Sequence, residues 1–191
     1  MNNLSKIGTT LTAVYIFLIM LGNTGWLGQI FSDAYSGAAY DGVFILSQII
    51  LTGIFFILTL AYTYKEFELI FYGLVWFMID NILGLVFNYI PVSTEMSFVD
   101  LYLSYGSFLN LLGLGLILYG IQKYSLQARY FKYFVIADII AFSLLIGLSW
   151  MELFNFSWIV NLALNAAPFV FLYMHFSKED KFKEDLDILD D

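Results

Sequence analysis

Apolar residues in this chain gather in long, nearly unbroken runs and show none of the two-residue alternation of a half-buried strand. The runs extend from Ile7 to Phe31, Val43 to Tyr64, Phe67 to Ile90, Leu101 to Gln122, Phe131 to Met151 and Ser157 to Phe176. About 20 mostly apolar helical residues cross a hydrocarbon core of about 30 Å, so each run is long enough to be one membrane crossing. Lipid-facing barrel strands would be shorter and would alternate in and out. The expected fold is therefore all-α, a polytopic membrane bundle of six transmembrane helices over residues 1–176, followed by a short acidic tail over 177–191. The connections are too short to hold a water-soluble domain, which leaves the spans and the tail to carry function.

Composition sharpens this picture. Hydrophobic residues make up 61% of the chain and charged residues 13%, more apolar side chain than a soluble domain of this size could hide. The net charge of −8 is largely a property of the tail, where seven of the sixteen acidic residues lie. Alternate connections place Lys6, Lys65, Lys123, Arg129, Lys132, Lys178, Lys181 and Lys183 on one face, while Asp33, Asp41, Glu95, Asp100 and Glu152 lie on the other. An excess of Lys and Arg marks the cytoplasmic side, so the expectation is a multi-pass protein of the cell membrane with both termini in the cytoplasm. The first run is read as a span and not as a signal sequence, because it continues past Gly22 through Trp26, Leu27 and Ile30 with no small-residue cleavage site. Aromatic residues near the span ends, among them Trp26, Tyr62, Tyr130 and Trp150, fit an interfacial belt.

Polar residues inside the spans are the informative ones. Asp80 falls at the middle of the third run and Asp138 about one turn from the middle of the fifth. An Asp at the bilayer centre costs about 2.5 to 3.5 kcal/mol on insertion scales, and no Lys, Arg or His lies in the core of any span to offset it. Such a carboxylate either holds a proton or takes a cation from solution, unless it serves only as interhelical glue. Arg129 and Lys132 are close enough in sequence to reach toward Asp138 from the cytoplasmic edge. At 100° per residue Gly73, Asp80 and Gly84 share one side of their helix, with Asn81 and Asn88 on the adjoining flank. The sixth run places Asn161, Asn165, Pro168, Leu172 and His175 in one narrow arc, and Pro168 breaks the hydrogen-bond ladder at the carbonyl of Leu164. Glycines at 106, 113, 115 and 120, and at 22, 25 and 28, would permit close helix approach. His175 is expected at the rim as a solvated residue, with a proton-relay exit as the sharper possibility.

These features favour a small transporter, permease or channel-like protein that binds a small solute or cation at a mid-membrane polar site. The expected site residues are Asp80, Asn81, Asn88, Asp138, Asn161 and Asn165, with Pro168 as the helix break. The alternative is a non-catalytic membrane sensor or assembly subunit in which the same residues serve packing. With no cysteine and one histidine, thiolate chemistry, a paired-ligand haem site and the usual metal sites are not expected, nor is any cofactor. The residues on which ceramidase-type membrane hydrolases depend are missing, so the chain is not expected to be an enzyme; Asp80 and Asp138 as an acid-base pair are the only enzymatic reading left. The expected partners are the lipid bilayer and a second copy or a membrane subunit, with no nucleic acid. In size and span count the chain is similar to the substrate-binding subunits of energy-coupling-factor vitamin transporters, and to many small permeases and membrane sensor domains, without a motif that selects one.

Overall fold

The structure, a computed structural model, describes residues 3–23, 33–89, 97–150 and 158–178 of the 191-residue chain. These residues form six α-helices: α1 Asn3–Asn23, α2 Asp33–Ala61, α3 Tyr64–Tyr89, α4 Ser97–Lys123, α5 Arg129–Trp150 and α6 Trp158–Lys178. Among the described residues there is no strand. The helices and the apolar runs coincide in number and order but not in length. Helix α2 starts at Asp33, ten residues before the run beginning at Val43, because the backbone ladder continues through Ala-rich polar sequence with no Pro to stop it. Hydropathy marks only the apolar part of such a helix. The glycine segment at 25 and 28 and the tail beyond Lys178 lie outside the described residues, as do the side chains of Asn88 and Asn161.

Two tight turns reverse the chain. After α2 the turn uses only Tyr62 and Thr63, and the Thr63 carbonyl accepts from the amides of Glu66 and Phe67 at 3.2 and 3.1 Å. Phe67 then departs from helical geometry at φ −132° and ψ 50°, interrupting α3 one turn after it begins. Helix α4 closes with a paired C-terminal motif: the amide of Leu126 donates to the carbonyl of Ile121 at 3.0 Å, and that of Ser125 to Gln122 at 3.1 Å. This geometry requires a left-handed residue, and Ser125, at φ 50°, takes the place usually filled by glycine.

The principal helix contacts run α1 to α2, α2 to α3, α3 to α4, α4 to α5, α5 to α6 and α6 back to α1. The bundle is thus a closed ring in chain order. One end collects the start of α1, the end of α2, the start of α3, the end of α4, the start of α5 and the end of α6. Ser5 donates to the Phe176 carbonyl, Phe131 stacks on Tyr62 at 4.9 Å, and the Leu69 amide donates to the Tyr124 hydroxyl at 3.5 Å. Neighbouring helices therefore run antiparallel. The tightest packing also lies toward this end, where Leu58, Ile70, Ile117, Phe131, Phe134 and Leu172 are fully buried.

Glycines set the closest helix pairs. A Cβ on Gly73 would lie 2.4 Å from Ile117 and 3.0 Å from the Gly113 carbonyl, and one on Gly113 would lie 2.9 Å from Trp76. Helices α3 and α4 meet there at backbone distance, as small residues permit in a membrane bundle. Gly115, which also lies in α4, faces open space.

Each helix turns large apolar side chains outward: Phe17, Phe56, Ile82, Leu112, Ile140 and Val170 are all exposed, one from each. An apolar surface on every side of a bundle is unsuited to water and suited to lipid. Helices α1, α2, α3 and α5 contain stretches long and apolar enough to cross a membrane, Asn3–Gly22, Asp41–Ala61, Glu66–Val86 and Arg129–Gly147, and α4 has a shorter one, Phe108–Lys123. The protein is a helical membrane bundle.

Candidate functional site

The ring encloses a cavity of about 180 Å³ to which every helix contributes. Polar groups enter it from five of them: Tyr15 from α1, Asp80 and Asn81 from α3, Asn110 from α4, Asp138 from α5 and Asn165 from α6. The wall is otherwise apolar and rich in aromatic rings, with Phe55 stacked on Phe77 at 5.1 Å and Tyr15 against Phe169 at 4.4 Å. Among its described lining residues there is no Lys, Arg or His. Two acids from different spans thus share one chamber with no basic residue.

Local helix geometry explains why these side chains meet. Phe77, Asp80 and Asn81 are spaced three and four residues apart and occupy one face of α3. Asp138, Ala141, Phe142 and Leu145 do the same on α5, and on α6 Asn165 and Phe169 lie four apart beside Leu164. The arc read on the sixth run points inward, since Pro168, Leu172 and His175 are buried and Asn165 lines the cavity. Pro168 supplies no amide to the carbonyl of Leu164, so a cavity-lining residue has a backbone oxygen that its own helix cannot satisfy in the usual way.

A short hydrogen-bond chain orients Asp80. The Trp76 indole Nε1 donates to Asn110 Oδ1 at 2.9 Å, and Asn110 Nδ2 donates to Asp80 Oδ2 at 3.0 Å. An indole can only donate, so it determines which end of the Asn110 amide is oxygen and turns the NH₂ toward Asp80. The Asn81 side chain donates instead to its own helix, at the Phe77 carbonyl, 2.8 Å away.

Asp138 is held differently. It is 8% exposed, it lines the cavity, and among the described residues no hydrogen-bond donor meets its carboxylate. The expected reach of Arg129 is not observed. Arg129 is exposed, its Nη2 lies 3.2 Å from the Tyr130 hydroxyl, and its guanidinium sits over that ring at 5.0 Å. Asp138 lies more than two helical turns further along α5, and stacking on an adjacent aromatic at the rim holds Arg129 there without loss of its hydration.

A second cavity, about 490 Å³ and more open, lies between α1, α2 and α6 and reaches Gly22, Asp41 and Phe44 at the end of the bundle away from Tyr62 and Phe131. Tyr15 and Asn165 line both cavities and stand between them. The other end is shut by stacked rings. His175 belongs to that plug: it is 0% exposed, its Nε2 lies 3.2 Å from the Tyr62 hydroxyl, and its ring stacks on Phe131 at 5.2 Å. The expectation of a solvated histidine is overturned because α6 continues to Lys178, which leaves His175 one turn inside the bundle on the inward arc.

Of the site residues read from sequence, Asp80, Asn81, Asp138 and Asn165 come together in one chamber. Sequence does not single out Tyr15, which lines the chamber, or Trp76, which orients Asn110, since an aromatic residue in an apolar span carries no signal of its own. Asn110 carries only a weak signal in the sequence, a polar residue on the same side of its helix as Gly106 and Gly113. No protein-family model, no curated protein and no solved structure matches the chain.

Proposed function

We propose that this protein is a small transporter or permease-like protein of the cell membrane, with six transmembrane helices and cytoplasmic termini, that binds a small solute or cation in the central cavity. Asp80 and Asp138 provide the charge, and Asn81, Asn110 and Asn165 provide neutral hydrogen-bonding groups. The observation that carries this reading is the single chamber lined by all six helices, in which two carboxylates from separate spans meet and the described lining residues include no Lys, Arg or His. Ionisable groups buried in a membrane bundle are costly and mark solute or ion pathways as a rule. The larger cavity beside Tyr15 and Asn165 provides an approach from one end, and the ring of aromatics at the other provides the seal that a transporter needs against leakage.

The orientation follows from charge. Lys6, Lys123, Arg129 and Lys178 are exposed at or near the aromatic end, which supports reading that end as cytoplasmic and the open cavity as external.

One observation favours the alternative of a sensor or assembly subunit: Asn110 already donates to Asp80, as a packing partner would. The two readings separate in detergent. Thermal stability that responds to Na⁺ or to pH in the native protein, with the response lost in Asp80→Asn, supports the solute site. An unchanged response in a variant at least as stable as the native protein makes Asp80 a packing residue.

A further inference from the structure

The geometry points to a small organic ammonium ion as the occupant of the central cavity, its charged head between Asp80 and Asp138 and its alkyl body against the rings of Phe55, Phe77 and Phe169. This rests on the reading of the cavity as a solute site and adds the chemical class of the solute.

Three features of the chamber select this class. Its charged groups are both acids, and one of them, Asp138, is more than nine-tenths buried and meets no hydrogen-bond donor among the described residues, so its oxygens accept from whatever enters. An ammonium group has three donors to give and no acceptor to satisfy.

The second feature is size and lining. A dry cavity of about 150 Å³ admits benzene, so a chamber of about 180 Å³ has room for a molecule with a hydrocarbon part and is far larger than the coordination sphere of one metal ion needs. Aromatic rings in the chamber wall, Phe55, Phe77 and Phe169, can attract a desolvated cation through their quadrupoles and also take up its methylenes.

The third is the oxygen supply. Calcium takes six to eight oxygens and magnesium six. Here Asn110 gives its oxygen to Trp76 and its amide to Asp80, so that amide is not available as a ligand. Among the described residues no group of three or more His, Cys, Asp or Glu side chains could hold a metal ion. A neutral solute of the same shape would leave the buried carboxylate of Asp138 uncompensated.

The test measures thermal unfolding of the full chain in detergent with four probes at equal concentration: n-butylammonium, its neutral counterpart n-butanol, Na⁺ and Ca²⁺. The inference expects n-butylammonium to raise the native Tm by about 3 °C or more when well above its dissociation constant, with the other three well below that shift. It expects the shift to fall by at least half in both Asp80→Asn and Asp138→Asn. The comparison among probes on the native protein stands even if a variant fails to fold. Stabilisation by Na⁺ or Ca²⁺ alone, lost in Asp80→Asn, overturns the organic cation and keeps the solute site. Silence of all four probes, together with carboxylate variants at least as stable as the native protein, overturns the inference and the solute site alike. A shift with n-butylammonium matched by n-butanol also overturns the inference, since hydrophobic filling then accounts for it.

Discussion

A single hydrogen atom decides how Asn110 is used. The Trp76 indole N–H selects the oxygen end of the amide, and Asp80 receives the other end. Replacing Trp76 with Phe keeps an aromatic ring but leaves the Asn110 oxygen without that donor. Hydrogen bonds between membrane helices average about 0.6 kcal/mol and reach about 1.7, so Trp76→Phe is expected to destabilise the protein by about 1 kcal/mol. The midpoint of SDS-induced unfolding measures this. A midpoint equal to that of the native protein would mean that the amide of Asn110 is oriented by something other than the indole. The residue scale is also where sequence reading was least complete. Asp80 and Asp138 announce themselves by charge in an apolar run, and Asn165 by its place on an arc with Pro168. Tyr15 faces the cavity while Phe17, two positions on, is exposed; one hydroxyl in an apolar run does not say which ring turns inward, and the placement of α1 against α2 and α6 does. His175 shows the same limit in reverse. A lone histidine beside Ser177 and Lys178 reads as a rim residue until the inward arc of α6 is seen to carry it under Tyr62 and Phe131.

Helices are where the sequence was most legible, because each needs only local information: a long apolar run, a charge at its end, a turn residue. The glycines of α4 carry that legibility one step further. Gly113 and Gly120 are seven residues apart and share a face with Asn110, while Gly115 lies on nearly the opposite side. The structure separates them the same way, with Gly113 and Gly120 against α3 and Gly115 open. Substitution should follow this division. Gly73→Ala places a methyl 2.4 Å from Ile117 and 3.0 Å from a backbone oxygen that cannot move aside without parting α3 from α4. Overpacking of this kind costs about 1 to 3 kcal/mol. Gly115→Ala meets nothing and removes a flexible residue from a helix, which is worth about 0.5 to 1 kcal/mol in the stabilising direction. Denaturation midpoints of the two variants should therefore move in opposite directions. Movement in the same direction would show that close approach at Gly73 is not what joins these helices.

For the whole molecule, closure of the ring is the feature no local pattern could supply. Helices α1 and α6 stand at opposite ends of the chain, yet Ser5 donates to the Phe176 carbonyl and the Gly8 backbone abuts the Phe176 ring. That contact turns a row of six helices into an enclosure and brings Tyr15 opposite Asn165. The proposed orientation of this enclosure is open to direct measurement, because the chain contains no cysteine and any cysteine introduced is a unique label. Gly42 is exposed near the open end, with nothing within 4 Å of an added Cβ, and Ser125 is exposed in the α4 to α5 turn at the basic end. Lys178 is exposed at the end of α6. With six crossings and cytoplasmic termini, an impermeant maleimide should label Gly42→Cys on intact cells and should reach Ser125→Cys and Lys178→Cys only after the membrane is opened. Labelling of the last two on intact cells, with Gly42→Cys protected, would invert the protein and make the aromatic plug external. Labelling of Ser125→Cys and Lys178→Cys from opposite sides would be stronger still, since it would require an odd number of crossings after α4 and would break the antiparallel ring on which the shared cavity depends.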